Sequence, residues 1–224
     1  MMDLIFNERN IGGKDWATIL FVVCFALIAI NRTVFETRFT EFVKLAVSDK
    51  YTKIYKDSGN IMSGFTISFF FIQVISFTFL LQFILSLDYF NHVKEKTSWV
   101  DFIQLFTLIA AFILSKYLIE KIIATAFNIE DFNEQFNLHK VNYRTYIGLL
   151  LLPVNVILFY NDTIPAFVIY TLIGLIIAST VISYLVSLRI YQNLILGKLF
   201  YFILYLCALE IAPYYFMYYW FTKS

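Results

Sequence analysis

The stretch IMSGFTISFFFIQVISFTFLLQFILSL, from Ile61 to Leu87, decides the fold. It holds no charged residue. Coiled as an α-helix it reaches about 40 Å at 1.5 Å per residue, enough to cross a hydrocarbon layer about 30 Å thick with tilt. Backbone exposed to lipid must satisfy its own hydrogen bonds, which restricts spanning structures to helices and closed barrels. The stretch is continuously apolar rather than alternating, so it reads as a helix and not as a barrel strand. Five further apolar runs flank it: Trp16–Ile30, Trp99–Ile119, Tyr146–Tyr160, Ile164–Leu188 and Leu199–Phe221. Trp16–Ile30 and Tyr146–Tyr160 fall short of the roughly 20 residues that a span needs. The expectation is an all-α polytopic transmembrane helical bundle of about six spans, with residues 1–224 forming a single transmembrane domain.

Composition agrees. Of the 224 residues, 60% are hydrophobic and 15% charged, where a soluble domain carries about 25% charged residues. Mean hydropathy is +0.74. A chain this short has too little interior to hide so much apolar surface. A net charge of +1 gives no electrostatic basis for binding nucleic acid. Cys24 and Cys207 lie inside apolar runs and read as small hydrophobes. His92 and His139 have no metal-site spacing around them, and no cofactor is expected. The segment before Trp16 lacks a basic start, and no small-x-small site follows Ile30, so the first run reads as a retained helix.

The longest connection, Asn31–Asn60, places Phe35, Phe39, Phe42 and Ala46 at helical spacing, with Glu36, Arg38, Glu41 and Lys44 between them. An amphipathic interfacial helix around 34–47 is expected, an ordinary helix on the aqueous side being the alternative. Six spans leave five Lys/Arg on one side of the membrane (Arg9, Lys14, Lys94, Lys96, Lys223). Eleven fall on the other (Arg32, Arg38, Lys44, Lys50, Lys53, Lys56, Lys121, Lys140, Arg144, Arg189, Lys198). The positive-inside rule then puts the eleven in the cytoplasm and both termini outside. The aromatic cluster Tyr214–Phe221 reads as an interfacial belt.

Several polar residues inside the runs need a reason. Glu210 falls about 16 Å into the last run, near the midplane, where a carboxylate must face protein or water. Pro213, three residues on, frees the carbonyl of Leu209 and kinks the helix. Lys116 and Glu120 share one helix face. If their helix stops near Ile119, Lys116 snorkels to the interface; if it continues to Phe127, Lys116 lies as deep as Glu210. Arg144, in NYRTYIG (142–148), offers a cationic contact for a lipid headgroup or phosphate. Asn155 follows Pro153 in a proline-interrupted run and must find a partner there. Gln73, Ser76, Gln82 and Ser86 do the same in the second run. Ser179, Ser183 and Ser187 form a small-residue stripe at four-residue spacing. No hydrolase, metalloprotease, phosphate-loop or dinucleotide motif is present, so no catalytic residue is assigned.

NYRTYIG, LLPVN (151–155) and YFILYLCALEIAPYY (201–215) together resemble an uncharacterised family of small multi-helix membrane proteins from Bacteroidetes, the DUF4271 family. Its most recognisable piece is Cys-x-x-Glu-Ile-x-Pro, here Cys207, Glu210, Ile211 and Pro213. The resemblance implies a protein of the inner membrane of a Gram-negative cell and brings no activity with it. The functional expectation is a structural or partner-binding component of a membrane assembly. Its partners are then the lipid bilayer and other membrane proteins or further copies of itself. Alternatives are a proton- or ion-coupled small carrier using Glu210 and a lipid-headgroup-binding enzyme.

Overall fold

The computed structural model describes residues 14–46, 64–86, 98–126, 130–161 and 166–197, with 215 and 219; side chains 131–136, 166, 184 and 186–197 lie outside the description. Six α-helices are described: α1 Asp15–Val34, α2 Glu36–Val43 (continued by a 3-10 turn, Lys44–Ala46), α3 Gly64–Leu85, α4 Trp99–Ala126, α5 Glu130–Tyr160 and α6 Ala166–Gly197. The all-α expectation holds.

Of the expected six spans, four are supported. Among the described residues four helices are long and apolar enough to cross a membrane: Asp15–Val34, Gly64–Leu85, Trp99–Ala126 and Asn137–Tyr160. Two of these are the runs that looked too short. Each is lengthened by polar residues that continue the helix past the apolar stretch, Asn31–Val34 in α1 and Asn137–Thr145 in α5. Polar side chains do not end a helix whose backbone bonds are already in place. The fifth run gives α6, of which Phe167–Ser183 is an apolar helical stretch among the described residues. The sixth run, Leu199–Phe221, lies outside the described residues.

Contacts between helix ends fix their directions. Trp16, at the start of α1, meets Phe79 late in α3, Trp99 and Phe102 at the start of α4, and Phe159 at the end of α5. Asn31, near the end of α1, accepts a hydrogen bond from Ser68 early in α3 at 3.2 Å. Helices α1 and α4 therefore run one way and α3 and α5 the other. One end of the bundle carries Trp16, Trp99 and Tyr160, with Thr18 hydrogen-bonded to the Tyr160 hydroxyl. The other end carries Arg32, Arg38, Lys44, Glu120 and Lys140.

Helix α3 is the hub. It packs on α5 most extensively, then on α4 and α1, and 13 of its 22 residues are buried. At the tryptophan end Phe79 stacks on Phe21 at 4.5 Å and meets Phe102 at 4.6 Å and Phe159 at 5.6 Å. At the other end α2 lays Phe42 and Leu45, both 1% exposed, onto Phe65 and Phe69, with Tyr146 beside them. Its Arg38 sits 4.9 Å from the centre of the Phe65 ring and donates to Thr66 Oγ1 at 3.4 Å. The amphipathic segment is thus helical, and its apolar stripe covers the ends of α3 and α5.

Helices α3 and α5 approach closely at Gly148. A Cβ there would stand 3.1 Å from Gln73 Cα and 3.1 Å from its Cγ. At Gly174, on α6, a Cβ would meet nothing within 4 Å. Gly148→Ala is expected to lower stability by about 1 kcal/mol through overpacking, while Gly174→Ala is neutral or slightly stabilising from helix propensity. Thermal unfolding of the two variants in detergent separates these outcomes; an equal response would show that the α3–α5 approach is not tight.

Candidate functional site

The polar groups in the bundle interior lie along the α3–α5 seam and on the inner face of α4. Thr145 Oγ1 donates to Gln73 Oε1 at 2.8 Å. Asn155 Nδ2 donates to the carbonyl of Ser76 at 2.7 Å. Gln82 Nε2 donates to the carbonyl of Ser98 at 2.8 Å. Each bond ties two elements together inside an apolar medium, where a buried amide without a partner costs about 1–3 kcal/mol. Asn155 thus finds the partner expected of it, in a main-chain carbonyl of α3. The seam is only partly satisfied: Gln73 Nε2, Ser76 Oγ, Gln82 Oε1 and Asn155 Oδ1 make no hydrogen bond.

Charged groups gather at the basic end. Glu120 is 4% and Lys116 7% exposed, one turn apart on α4. Because α4 continues to Ala126, Lys116 is an inward-facing residue within the helix and not a terminal one. Lys140 on α5 holds Glu120, Nζ to Oε1, at 3.3 Å. Trp99 and Tyr160 mark one interface. Measured from them at 1.5 Å per residue, Glu120 and Lys140 lie about 30 Å away, at the far edge of the hydrocarbon layer, and Lys116 lies about 5 Å inside it. This position explains how a buried ion pair is tolerated: its outer rim is at the headgroups. Arg144, half-buried, follows Lys140 by one turn. His139, 1% exposed, rests its ring 4.7 Å from that of Tyr143, whose hydroxyl reaches the Leu45 carbonyl at 3.4 Å. The 3-10 turn after α2 is thereby tied to α5.

Of the residues singled out in the sequence, the structure brings Lys116, Glu120 and Arg144 to one end and sets Asn155 deep in the seam. Glu210 and Pro213 lie outside the described residues. Of the serine stripe on α6, Ser179 and Ser183 donate to the carbonyls of Leu175 and Ser179, each at 2.7 Å; Ser179 is exposed, and the Ser187 side chain lies outside the described residues. Lys140 and Thr145 carry bonds that the sequence reading did not assign. A signal for Lys140 was present. Only three residues separate α4 from α5, so the two are antiparallel neighbours and positions roughly equidistant from the connection meet. Among the described residues no group of three His, Cys, Asp or Glu is placed to hold a metal ion.

The fold and the interior define a class: a multi-span, all-helical membrane protein whose buried polarity joins helices. Residues 17–221 match the model of the family described as a domain of unknown function, DUF4271, and the chain belongs to that family. No curated protein and no solved structure matches it.

Removing one partner of the Glu120–Lys140 pair leaves the other charge in a poorly solvated place. Lys140→Leu is expected to destabilise by about 1–3 kcal/mol. The double change Glu120→Leu with Lys140→Leu recovers most of that loss. A double-mutant cycle of unfolding midpoints in detergent reads the coupling, and strictly additive single effects would mean that the pair contributes nothing.

Proposed function

We propose that the protein is a structural or partner-binding component of a membrane assembly. One observation carries this reading. Along α4, Gln104, Thr107, Ala111 and Ser115 are all exposed and follow one another at spacings of three and four, so they line one outward face. Thr107 satisfies its hydroxyl on the Ile103 carbonyl at 2.8 Å. Gln104 has no hydrogen bond among the described residues. An amide turned toward lipid is unfavourable, and small and polar residues at this spacing are the usual contact surface between membrane helices. A neighbouring helix would cover the stripe and pair the amide. In the same reading the chain crosses the inner membrane six times, α6 and Leu199–Phe221 adding two spans to the four, and the α2 stripe lies at the interface. The basic end then faces the cytoplasm, with both termini on the opposite side.

A second reading, a proton- or ion-coupled small carrier, is favoured by the unsatisfied groups of the seam. Glu210 would be its titrating acid and Pro213 the kink that opens its helix. A third, headgroup recognition by a lipid-modifying enzyme, draws on Arg144, one turn inside Lys140 of the Glu120–Lys140 pair and within snorkelling reach of the headgroups. It has no nucleophile with a base beside it among the described residues.

Ala111→Cys places a thiol in the middle of the α4 stripe. In native membranes it is expected to cross-link to a neighbouring membrane protein or a second copy. Adding Gln104→Leu should lower the yield at least several-fold. A properly inserted Ala111→Cys protein that gives no adduct counts against the partner reading. Loss of function in Glu210→Gln with the adduct unchanged moves the weight to the carrier.

A further inference from the structure

Several hydroxyls on these helices bond back to their own ladder. Thr40, Thr78, Thr107, Thr171 and Ser179 each donate to the carbonyl four residues back on their own helix. That is the cheapest way for a hydroxyl to be satisfied away from water. Ser76 does not follow it. Its Oγ makes no hydrogen bond, although the residue is 1% exposed and a back-bonded rotamer is open to a helical serine.

The other half of the site is on α5. Asn155, 3% exposed, donates from Nδ2 to the main-chain carbonyl of this same Ser76 at 2.7 Å, and its Oδ1 has no partner. The oxygen and nitrogen of an amide share one carbon, and the hydroxyl and carbonyl of Ser76 share one residue. Through that hydrogen bond both unsatisfied oxygens belong to the same contact of α3 with α5. They do not bond to each other.

We propose that Ser76 Oγ and Asn155 Oδ1 hold a bound water molecule that bridges α3 and α5. The donor and acceptor inventory fits. Asn155 Oδ1 only accepts, Ser76 Oγ both donates and accepts, and water supplies whichever partner each lacks. Two neutral side-chain oxygens are too few for a cation, which takes six or more; a water needs only two to four polar partners. Pro153 stands two residues before Asn155 and cannot donate to the carbonyl of Leu149. The site thus lies beside an interrupted ladder, the setting in which ordered water is found inside membrane helices. The bridge is independent of any partner on α4 and of any role for Glu210.

The test uses the full chain in detergent. Ser76→Ala deletes only the hydroxyl, and Asn155→Leu deletes the amide. With the bridge in place, Ser76→Ala lowers Tm by about 2–4 °C, and by clearly less when Asn155→Leu is already present, because the water has lost its other holder. A dry interface gives the opposite sign. Deleting an unsatisfied hydroxyl then leaves Tm unchanged or raises it, equally in both backgrounds, and the proposal falls. If Asn155→Leu does not fold, an experimental map fine enough to show waters decides. Density within hydrogen-bond reach of both oxygens supports the bridge, and its absence overturns it.

Discussion

In a bilayer every polar group must be answered from within the protein, because lipid offers no donor and no acceptor. That one constraint organises the structure. It makes the backbone helical in each apolar run. It places the amides of Gln73, Gln82 and Asn155 on the inner faces of their helices, each bonded across to another element. It sets the Glu120–Lys140 pair where the hydrocarbon ends. It also leaves Gln104, which faces outward, as an amide in need of a neighbour. Apolar burial cannot play this organising role, since the lipid around the bundle is as apolar as its core.

The two ends of the bundle answer the same constraint differently. At the tryptophan end the rings of Trp16, Phe21, Phe79, Phe102 and Phe159 interlock, and polarity is supplied by Trp and Tyr at an interface and by the Gln82–Ser98 hydrogen bond. At the basic end, α2 closes over Phe65 and Phe69, and charge collects around α4 and α5. The asymmetry agrees with a side that binds anionic headgroups and a side that does not. Between them, α3 and α5 touch backbone to side chain at Gly148 and Gln73, which pins the register of the seam.

Much of the fold is legible in the sequence because hydropathy and helix length are local properties. Ile61–Leu87 reads directly as the helix that becomes the hub. What misleads is the assumption that a helix ends where its apolar run ends. Thr145 and Lys140 sit before the apolar part of α5, yet the helix begins at Glu130, so they become helical residues with partners on α3 and α4. The span count is met in part: four helices qualify among the described residues, and the run Leu199–Phe221 lies outside them. The candidate site is less legible still. Asn155 and Gln73 announce themselves as polar residues in apolar runs, but the sequence cannot say which helix answers them, because that depends on crossing angle and rotation about each helix axis. Lys116 and Glu120 share a face by arithmetic; that Glu120 turns to Lys140 is a fact of tertiary packing.

Residues such as Gln73 and Asn155 have a further consequence for how the bundle moves. A fully satisfied polar seam locks one register, and an apolar seam permits sliding at little cost. This seam is intermediate. Its amides hold α3 to α5 by one good bond each while keeping a second valence unspent. Such a group can change partner without first losing all its bonds. An adaptable seam of this kind suits a protein that must accept a neighbour along α4 without repacking its hub, since α4 rests on α3 through Phe102 and Leu105 and leaves the amide bonds between α3 and α5 untouched.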